Sequence, residues 1–417
     1  MTIPAILCVD VEPDPRVVPV PSEPRWIGFE GLLDDLDRFR KRLSEPTGRP
    51  AGIGWFLRMD PQVEVAHGDV GWAADRYAGA LAELVDEGDE LGLHAHSWRW
   101  HGGGWISDQS ADWVAHCAAV SLDAYEAAFE RPCRSYRHGD RFTSDALRHL
   151  LQGRGVRCDL GLEPGRPAVG GLEPSEASRG MLPAVPDDQV HPFVAVHGGS
   201  SDDALLVVPL TSSFDAGQEV ARARFGTLLL WTPPRTFAAL LDARLAAGDV
   251  RHLAFAVRSD VALGGRMQAW LEQNLDHVGR TLGPDLEWLT PSAARRRLLA
   301  PGHADLSPTG EVWPRSLSLE AVHEVCRRAL DELRRVEVES ADREDQRTEA
   351  GAARAELEVA LHAAQAQVGS LAASGNDLRV ELATLEGTAT WRLHQRLLPA
   401  LRVARRVLSP RGGSRGG

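Results

Sequence analysis

The chain has 417 residues, 46 Lys and Arg against 59 Asp and Glu, a formal net charge of −13, and 43% hydrophobic residues. That balance suits a soluble globular protein and argues against a general nucleic-acid binder. Five scattered cysteines (Cys8, Cys117, Cys133, Cys158, Cys326) form no CxxC pair, which indicates neither a disulfide framework nor a cysteine zinc site.

In chain order, Ile6–Val9 is an apolar run that ends in Asp10-Val11-Glu12. Hydrophobic residues at both parities suit a parallel strand buried on two faces. Residues i and i+2 of a strand point the same way, so Asp10 and Glu12 project side by side. Burying two acids requires a metal, a proton or a basic group beside them; a strand simply running out into solvent is the alternative. Pro13, Pro15, Pro19, Pro21 and Pro24 then mark an irregular loop. Leu32, Leu36, Phe39 and Leu43 give helical spacing, and Ala51–Met59 reads as a second strand ending at Asp60-Pro61. A helix over Ala74–Val85 leads to a third strand, Leu91–His96, which carries His94 and His96.

A helix over Ala111–Phe129 and a strand around Ser135–Arg137 follow. Thr143–Leu151 is a helix capped by Thr143 or Ser144. Further strands are expected at Val156–Leu162, Leu205–Leu210 and His252–Val257, with helices at Phe237–Ala247 and Met267–Leu282. Strands alternating with helices imply parallel βαβ units, here a closed or nearly closed (β/α) barrel over residues 1–299. In such barrels the chemistry sits at the strands' C-terminal ends. Those ends carry Asp10, Glu12, Asp60, His94, His96, Arg137, His138, Asp159, Arg258 and Asp260.

Residues 300–316 read as a linker and 317–390 as a helical region. Leu357, Leu361, Ala364, Val368, Leu371, Gly375, Leu378, Leu382 and Leu385 make a heptad seam there. This predicts a homo-oligomer through a coiled coil, with a solvated helix or hairpin as the alternative. Residues 391–417 carry arginines and no acid, which suits a basic amphipathic helix on an anionic membrane surface or a partner-docking tail. With no apolar stretch near the roughly 20 residues that span a bilayer and no N-terminal export signal, a cytoplasmic location is expected, peripheral to the inner face of the membrane if the tail binds there.

The order of Asp10-Val11-Glu12, the Glu90–His96 histidine strand and Ser135-Tyr136-Arg137-His138-Gly139 resembles the polysaccharide deacetylases of the NodB-homology carbohydrate esterase superfamily, in its Asp-Val-Glu subgroup. The resemblance covers roughly residues 4 to 295. It implies a distorted (β/α)₇ barrel and metal-dependent hydrolysis of an acetyl group on a sugar. It assigns Asp10 as base, Glu12 as metal ligand and Arg137 as the residue that orients Asp10. A carboxylate that takes a proton from the attacking water must sit near the metal without ligating it. The family's second motif pairs two histidines four apart. Here His94 matches the first, Trp98 stands at the second, and His96, on the same strand face, could substitute as a ligand to a divalent metal such as Zn²⁺.

Trp98, Trp100 and Trp105 with Gly102, Gly103 and Gly104 suit a loop that stacks on sugar rings, or packing in the barrel mouth. Tyr136 or His138 could shape the oxyanion site, although Gly139 stands where the family has proline. The family's final histidine acid is replaced by Arg258-Ser259-Asp260. An arginine cannot donate its proton at neutral pH, but Arg258 could bind an anionic group of the substrate; His101 and His138 are replacement acids. Thr390-Trp391-Arg392-Leu393 is similar to a terminal segment of surface-polysaccharide enzymes, glycosyltransferases especially. The expected function is deacetylation of a glycan precursor in that pathway. A degenerate barrel that binds glycan or scaffolds a complex, and a glycosyltransferase using Asp10-Val11-Glu12 as a DxD-type site, are the competing readings.

Overall fold

The first strand, β1 (Ile3–Val11), is buried from Pro4 onward, and its alternate residues serve two different cores. Ala5, Leu7, Val9 and Val11 pack with residues of the surrounding helices, while Ile6 and Cys8 pack with Phe56, Leu160, Leu206 and Ala254 of other strands. This is the both-face burial expected of a parallel strand covered by helices on one side and by its own curl on the other. Asp10 and Glu12 continue the inward parity of Ile6 and Cys8.

The computed structural model describes residues 2–14, 24–101, 104–108, 110–139, 143–165, 189–196, 202–215, 224–259 and 265–300. The expected coiled coil and basic tail, and nearly all of the expected linker, lie outside them. One compact unit comprises Met1–Arg99 and Trp105–Leu333; of the other, Trp100–Gly104 with Arg334–Gly417, only residues 100, 101 and 104 are described.

After β1 come α1 (Ile27–Asp34), α2 (Leu36–Thr47), β2 (Gly54–Arg58), α3 (Pro61–His67), α4 (Trp72–Arg76), α5 (Ala78–Asp86) and β3 (Glu90–Ala95). The short strands β4 (Trp98–His101) and β5 (Gly104–Ser107) precede α6 (Ala111–Phe129), β6 (Ser135–His138), α7 (Asp145–Gly153) and β7 (Cys158–Asp159). Then follow β8 (Phe193–Val196), β9 (Leu205–Val207), β10 (Ser212–Asp215), β11 (Arg224–Thr227), α8 (Pro234–Ala246) and β12 (Leu253–Arg258). The described part ends with α9 (Gly265–Leu282), β13 (Leu286–Trp288) and α10 (Pro291–Leu299).

Local chemistry sets several of these boundaries. Asp60 caps α3 by accepting from the N–H groups of Gln62 and Val63, with Pro61 at the first helical position. Ser144, not Thr143, caps α7 by accepting from the Leu147 N–H. The expected helix over Ala74–Val85 is broken at Tyr77, whose ring packs against Trp26, Phe29 and Trp72 in an aromatic cluster.

The main sheet runs β12-β1-β2-β3-β6-β7-β9-β8, with β13 also paired to β1. Along that path the pairings are parallel except β8 on β9. The sequence reading located the seven parallel strands of that path, β1, β2, β3, β6, β7, β9 and β12. It did not find β8, the β10–β11 hairpin, β13 or α10. The result is an α/β fold with a curled mixed sheet whose two ends do not pair as strands. Hydrogen bonds bridge them instead: the Thr211 N–H donates to the Ala254 carbonyl (2.9 Å) and the Leu230 N–H to that of Ala256 (3.2 Å). At the N-terminal ends of the strands, Ala294 and Leu298 of α10 join the inner core, and Arg295 donates to the carbonyls of Arg157, Asp202 and Ala204. That end is stopped by apolar packing, so ionisable inward-facing residues gather at the other.

Candidate metal centre

Register brings the ends of β1, β2, β3 and β6 together: Asp10 lies beside Phe56, Arg58 beside His94, and His94 beside Arg137. Glu12, His94 and His96 each offer a ligand atom within 4.8 Å of the others, and all three are buried. His94 Nε2 is 3.0 Å from His96 Nε2 and 3.4 Å from Glu12 Oε1, while His96 Nε2 is 3.9 Å from Glu12 Oε2. A tetrahedral ion with bonds of about 2.1 Å sets its ligand atoms roughly 3.4 Å apart. The observed spacings bracket that edge, so the three residues could hold a divalent metal ion. His94 Nδ1 is 2.8 Å from the Arg137 carbonyl, which can only accept. Nδ1 therefore carries a proton, which leaves Nε2 as the ring nitrogen turned toward Glu12, the arrangement that orients a metal-ligating histidine.

His96 occupies its position because residue 139 is glycine. A Cβ built on Gly139 would lie 2.1 Å from His96 Cε1 and 2.4 Å from its Nε2. The imidazole thus fills the space that any other residue's side chain would take. Trp98, where the family has its second histidine, is 7% exposed; its ring lies 5.0 Å from that of His96 and 5.1 Å from the guanidinium carbon of Arg58. The indole walls the histidine in.

Asp10 is not drawn into the ligand cluster. The Arg137 Nε–H donates to both its oxygens (2.8 and 3.0 Å), and Arg137 Nη1 donates to the Leu160 carbonyl (3.0 Å). Arg137 Nη2 lies 3.7 Å from Glu163. Burial would lower the Arg137 pKa, but Asp10 and Glu163 raise it above its ordinary value, so the guanidinium stays charged. Asp10 Oδ1 is 3.9 Å from His94 Nδ1, which places a carboxylate beside the candidate metal site and outside it.

Arg58 completes the layer beneath. It is fully buried and reaches Asp60 (2.8 Å), Glu12 Oε2 (3.3 Å) and Gln62 (2.6 Å). The Glu12 backbone is pinned by Ser259, whose hydroxyl accepts from the Glu12 N–H (2.9 Å) and donates to its carbonyl (3.1 Å). Among these described buried groups, Arg58 lies against Glu12 and Asp60, and Arg137 against Asp10 and Glu163. Burial pushes the Glu12 carboxyl up, but His94 and His96 outweigh it and hold the group well below the usual carboxylate range. Asp60 is likewise raised by burial and lowered overall, by Arg58 first.

The remaining predicted residues are more dispersed. Alternation along β6 sets Tyr136 and His138 on the face opposite Arg137; Tyr136 packs in the helix-side core, its hydroxyl 2.6 Å from His138 Nδ1. Burial pushes the Tyr136 phenol well above its ordinary pKa. Arg258 pairs in register with Asp10, half-buried, its guanidinium 5.4 Å from the Trp231 ring. Asp260 lies outside the described residues, as does the side chain of His101.

Arg58 and Glu163 do not figure in the sequence analysis, and Gly139 figures there only as a departure from the family's proline. A lone arginine inside the apolar Gly54–Met59 strand, at the same parity as Asp60, was the signal for the first. For Gly139 the signal was a glycine facing a histidine strand.

No protein-family model matches the sequence, and a search of curated proteins finds no match to it. Solved structures similar to the chain include a presumed polysaccharide deacetylase from Mycobacterium smegmatis, at 15% identity over 74% of this chain and 94% of that one, TM-score 0.44. A probable polysaccharide deacetylase from Pseudomonas aeruginosa PAO1 is 13% identical over 71% and 90%, TM-score 0.42. A 4-alpha-glucanotransferase from Thermococcus litoralis is 13% identical over 72% of this chain and 41% of that one, TM-score 0.40. Likenesses this loose decide neither fold nor activity; those rest on the topology and on the site itself.

Proposed function

We propose that this protein is a metal-dependent hydrolase that removes an acetyl group from a sugar precursor in surface-polysaccharide assembly. The observation that carries the proposal is the juxtaposition of a Glu12–His94–His96 ligand cluster with a separate carboxylate, Asp10, clamped by Arg137. Hydrolysis of an acetyl group by a metal-activated water needs both parts. A divalent cation, Zn²⁺ by its donor set, supplies when bound an acidified water and a polarised carbonyl. Asp10 takes the proton of the attacking water, and Arg137, donating to both its oxygens, keeps that carboxylate aimed. Arg258, on the strand next to β1 and level with Asp10, binds an anionic part of the substrate, such as the phosphate of a nucleotide-linked or lipid-linked sugar. The assignment to surface polysaccharides rests on the Thr390–Leu393 segment, and the homo-oligomer and peripheral membrane contact on the heptads and basic tail.

A second reading, glycan binding or scaffolding without turnover, is favoured by Trp98 and Arg258 standing where the family has histidines. One experiment separates the two. Purified protein is assayed for bound metal and for acetate release from acetylated sugars, alongside Asp10→Asn and His94→Ala. Hydrolysis predicts stoichiometric metal lost in His94→Ala, and acetate release lost in Asp10→Asn with metal retained. A metal-free protein that still binds glycan in both variants would establish the second reading.

A further inference from the structure

Arg58 stands in a strand whose other residues are Gly54, Trp55, Phe56 and Leu57, and it is 0% exposed. A buried guanidinium persists only where its donors are satisfied. Here each arm has a different partner: Nε–H donates to Asp60 Oδ2 (2.8 Å), Nη1 to Glu12 Oε2 (3.3 Å) and Nη2 to Gln62 Oε1 (2.6 Å). Asp60 Oδ2 also accepts the backbone N–H of His96 (3.1 Å). Arg58 therefore touches one candidate ligand directly and anchors the backbone of another through a single carboxylate. The Gln62 amide nitrogen is buried without a hydrogen-bond partner among the described residues. Leaving a buried donor unpaired is unfavourable, so the amide is accounted for by what its oxygen does, which is to hold Arg58.

We propose that Arg58 is a positioning residue of the metal centre. It holds Oε2 of Glu12 and so turns Oε1 toward His94 Nε2, 3.4 Å away. The inference rests on the reading of Glu12, His94 and His96 as ligands. Its consequence is selectivity. One carboxylate oxygen with two imidazole nitrogens suits Zn²⁺ or Co²⁺, whereas a Glu12 free to offer both oxygens would suit the harder cations that gather six or more oxygen ligands. Charge alone predicts the opposite outcome on removing Arg58, because a guanidinium beside Glu12 repels an incoming cation. The sign of the effect therefore separates positioning from counter-charge.

The test uses the full chain, stripped of metal with a chelator, titrated with Zn²⁺ by calorimetry and with Co²⁺ by visible absorption. Arg58→Lys keeps the charge and loses the planar fork, Arg58→Met loses both, and Gln62→Ala leaves Arg58 with one anchor fewer. Zn²⁺ affinity is expected to fall about 10–100-fold in both Arg58 variants, the usual effect of losing an outer partner of a ligand. It falls less in Gln62→Ala, and the Co²⁺ bands of all three move from those of the wild type. Zn²⁺ bound by Arg58→Met as tightly as by wild type, or more tightly, overturns the proposal while leaving the ligand reading intact. A wild type that binds neither ion overturns both. If the Arg58 variants do not fold, Gln62→Ala decides: wild-type affinity together with an unchanged Co²⁺ spectrum refutes positioning.

Discussion

Gly139→Ala is the sharpest test of the idea that His96 has taken over a ligand position. The added methyl would lie 2.1, 2.2 and 2.4 Å from three atoms of the His96 ring. Non-bonded carbon atoms rest about 3.5–4.0 Å apart, so the ring must withdraw by more than about 1 Å. Gly139 has no positive φ, and alanine strains nothing in the backbone there. What yields is the far end of a side chain that can rotate, so the fold survives. Stability should change by less than about 1 kcal/mol, since alanine also restricts the unfolded chain. Metal affinity should fall at least as far as when an outer partner is lost, about 10–100-fold. Zn²⁺ calorimetry paired with thermal denaturation reads both quantities. Wild-type affinity in Gly139→Ala would show that His96 is not a ligand, and the centre would reduce to Glu12 and His94.

Gly92→Ala is the contrasting substitution. Its methyl would meet the Phe56 ring at 2.7 Å and the Ser135 backbone carbonyl at 2.9 Å, and the carbonyl belongs to the sheet and cannot step aside. Overpacking of this kind costs about 1–3 kcal/mol, which a urea titration would register as a lower midpoint at unchanged slope. A second prediction concerns pH. His252 is buried with Nε2 donating to the Pro209 carbonyl (2.7 Å), and burial, reinforced by nearby Arg244, lowers its pKa from 6.5 to about 4. Between those values the unfolded chain takes up a proton that the fold refuses, so stability falls as pH falls. From pH 7 to pH 5 the loss is about 2 kcal/mol. His252→Gln should flatten the dependence in that window, and an equally steep curve in the variant would refute the assignment.

Sequence periodicity set the candidate ligands side by side because a strand's repeat is rigid. Asp10 with Glu12, and His94 with His96, share a face through nothing more than two-residue spacing, and burial at both parities marked their strands as parallel. Arg137 followed from the resemblance, which set it beside Asp10. The supporting residues were harder to see because their roles exist only between strands. Arg58 has no visible role within its apolar run; the register sets it beside His94 and under Glu12. Glu163 follows a two-residue strand and reaches Arg137 only through the curl of the sheet. The incomplete closure was also illegible, since it rests on side-to-side hydrogen bonds at Thr211 and Leu230 that leave no periodic trace. Tyr77 shows the complementary failure, where an aromatic cluster overrides a continuous helical pattern.

The departures from the family pattern bear on whether the centre is altered or lost. Trp98 in place of a histidine, taken alone, argues for loss. Gly139 in place of proline, taken alone, is a neutral change in a loop. Together they are coupled, because the ring of His96 occupies the volume that only glycine vacates, and Trp98 packs on its other side. A site that had lost its cation would still face the buried charge around it. Asp10, Glu12 and Asp60 are buried ions beside Arg58 and Arg137, and burying an ion is costly even when it is paired. Replacing Glu12 by glutamine would remove one of those buried ions at once in a protein with no use for a cation. Glu12→Gln therefore discriminates: a more stable metal-free protein, with no loss of any bound ion, is what a relic would give, whereas a working centre loses its metal and the stabilisation that metal binding confers.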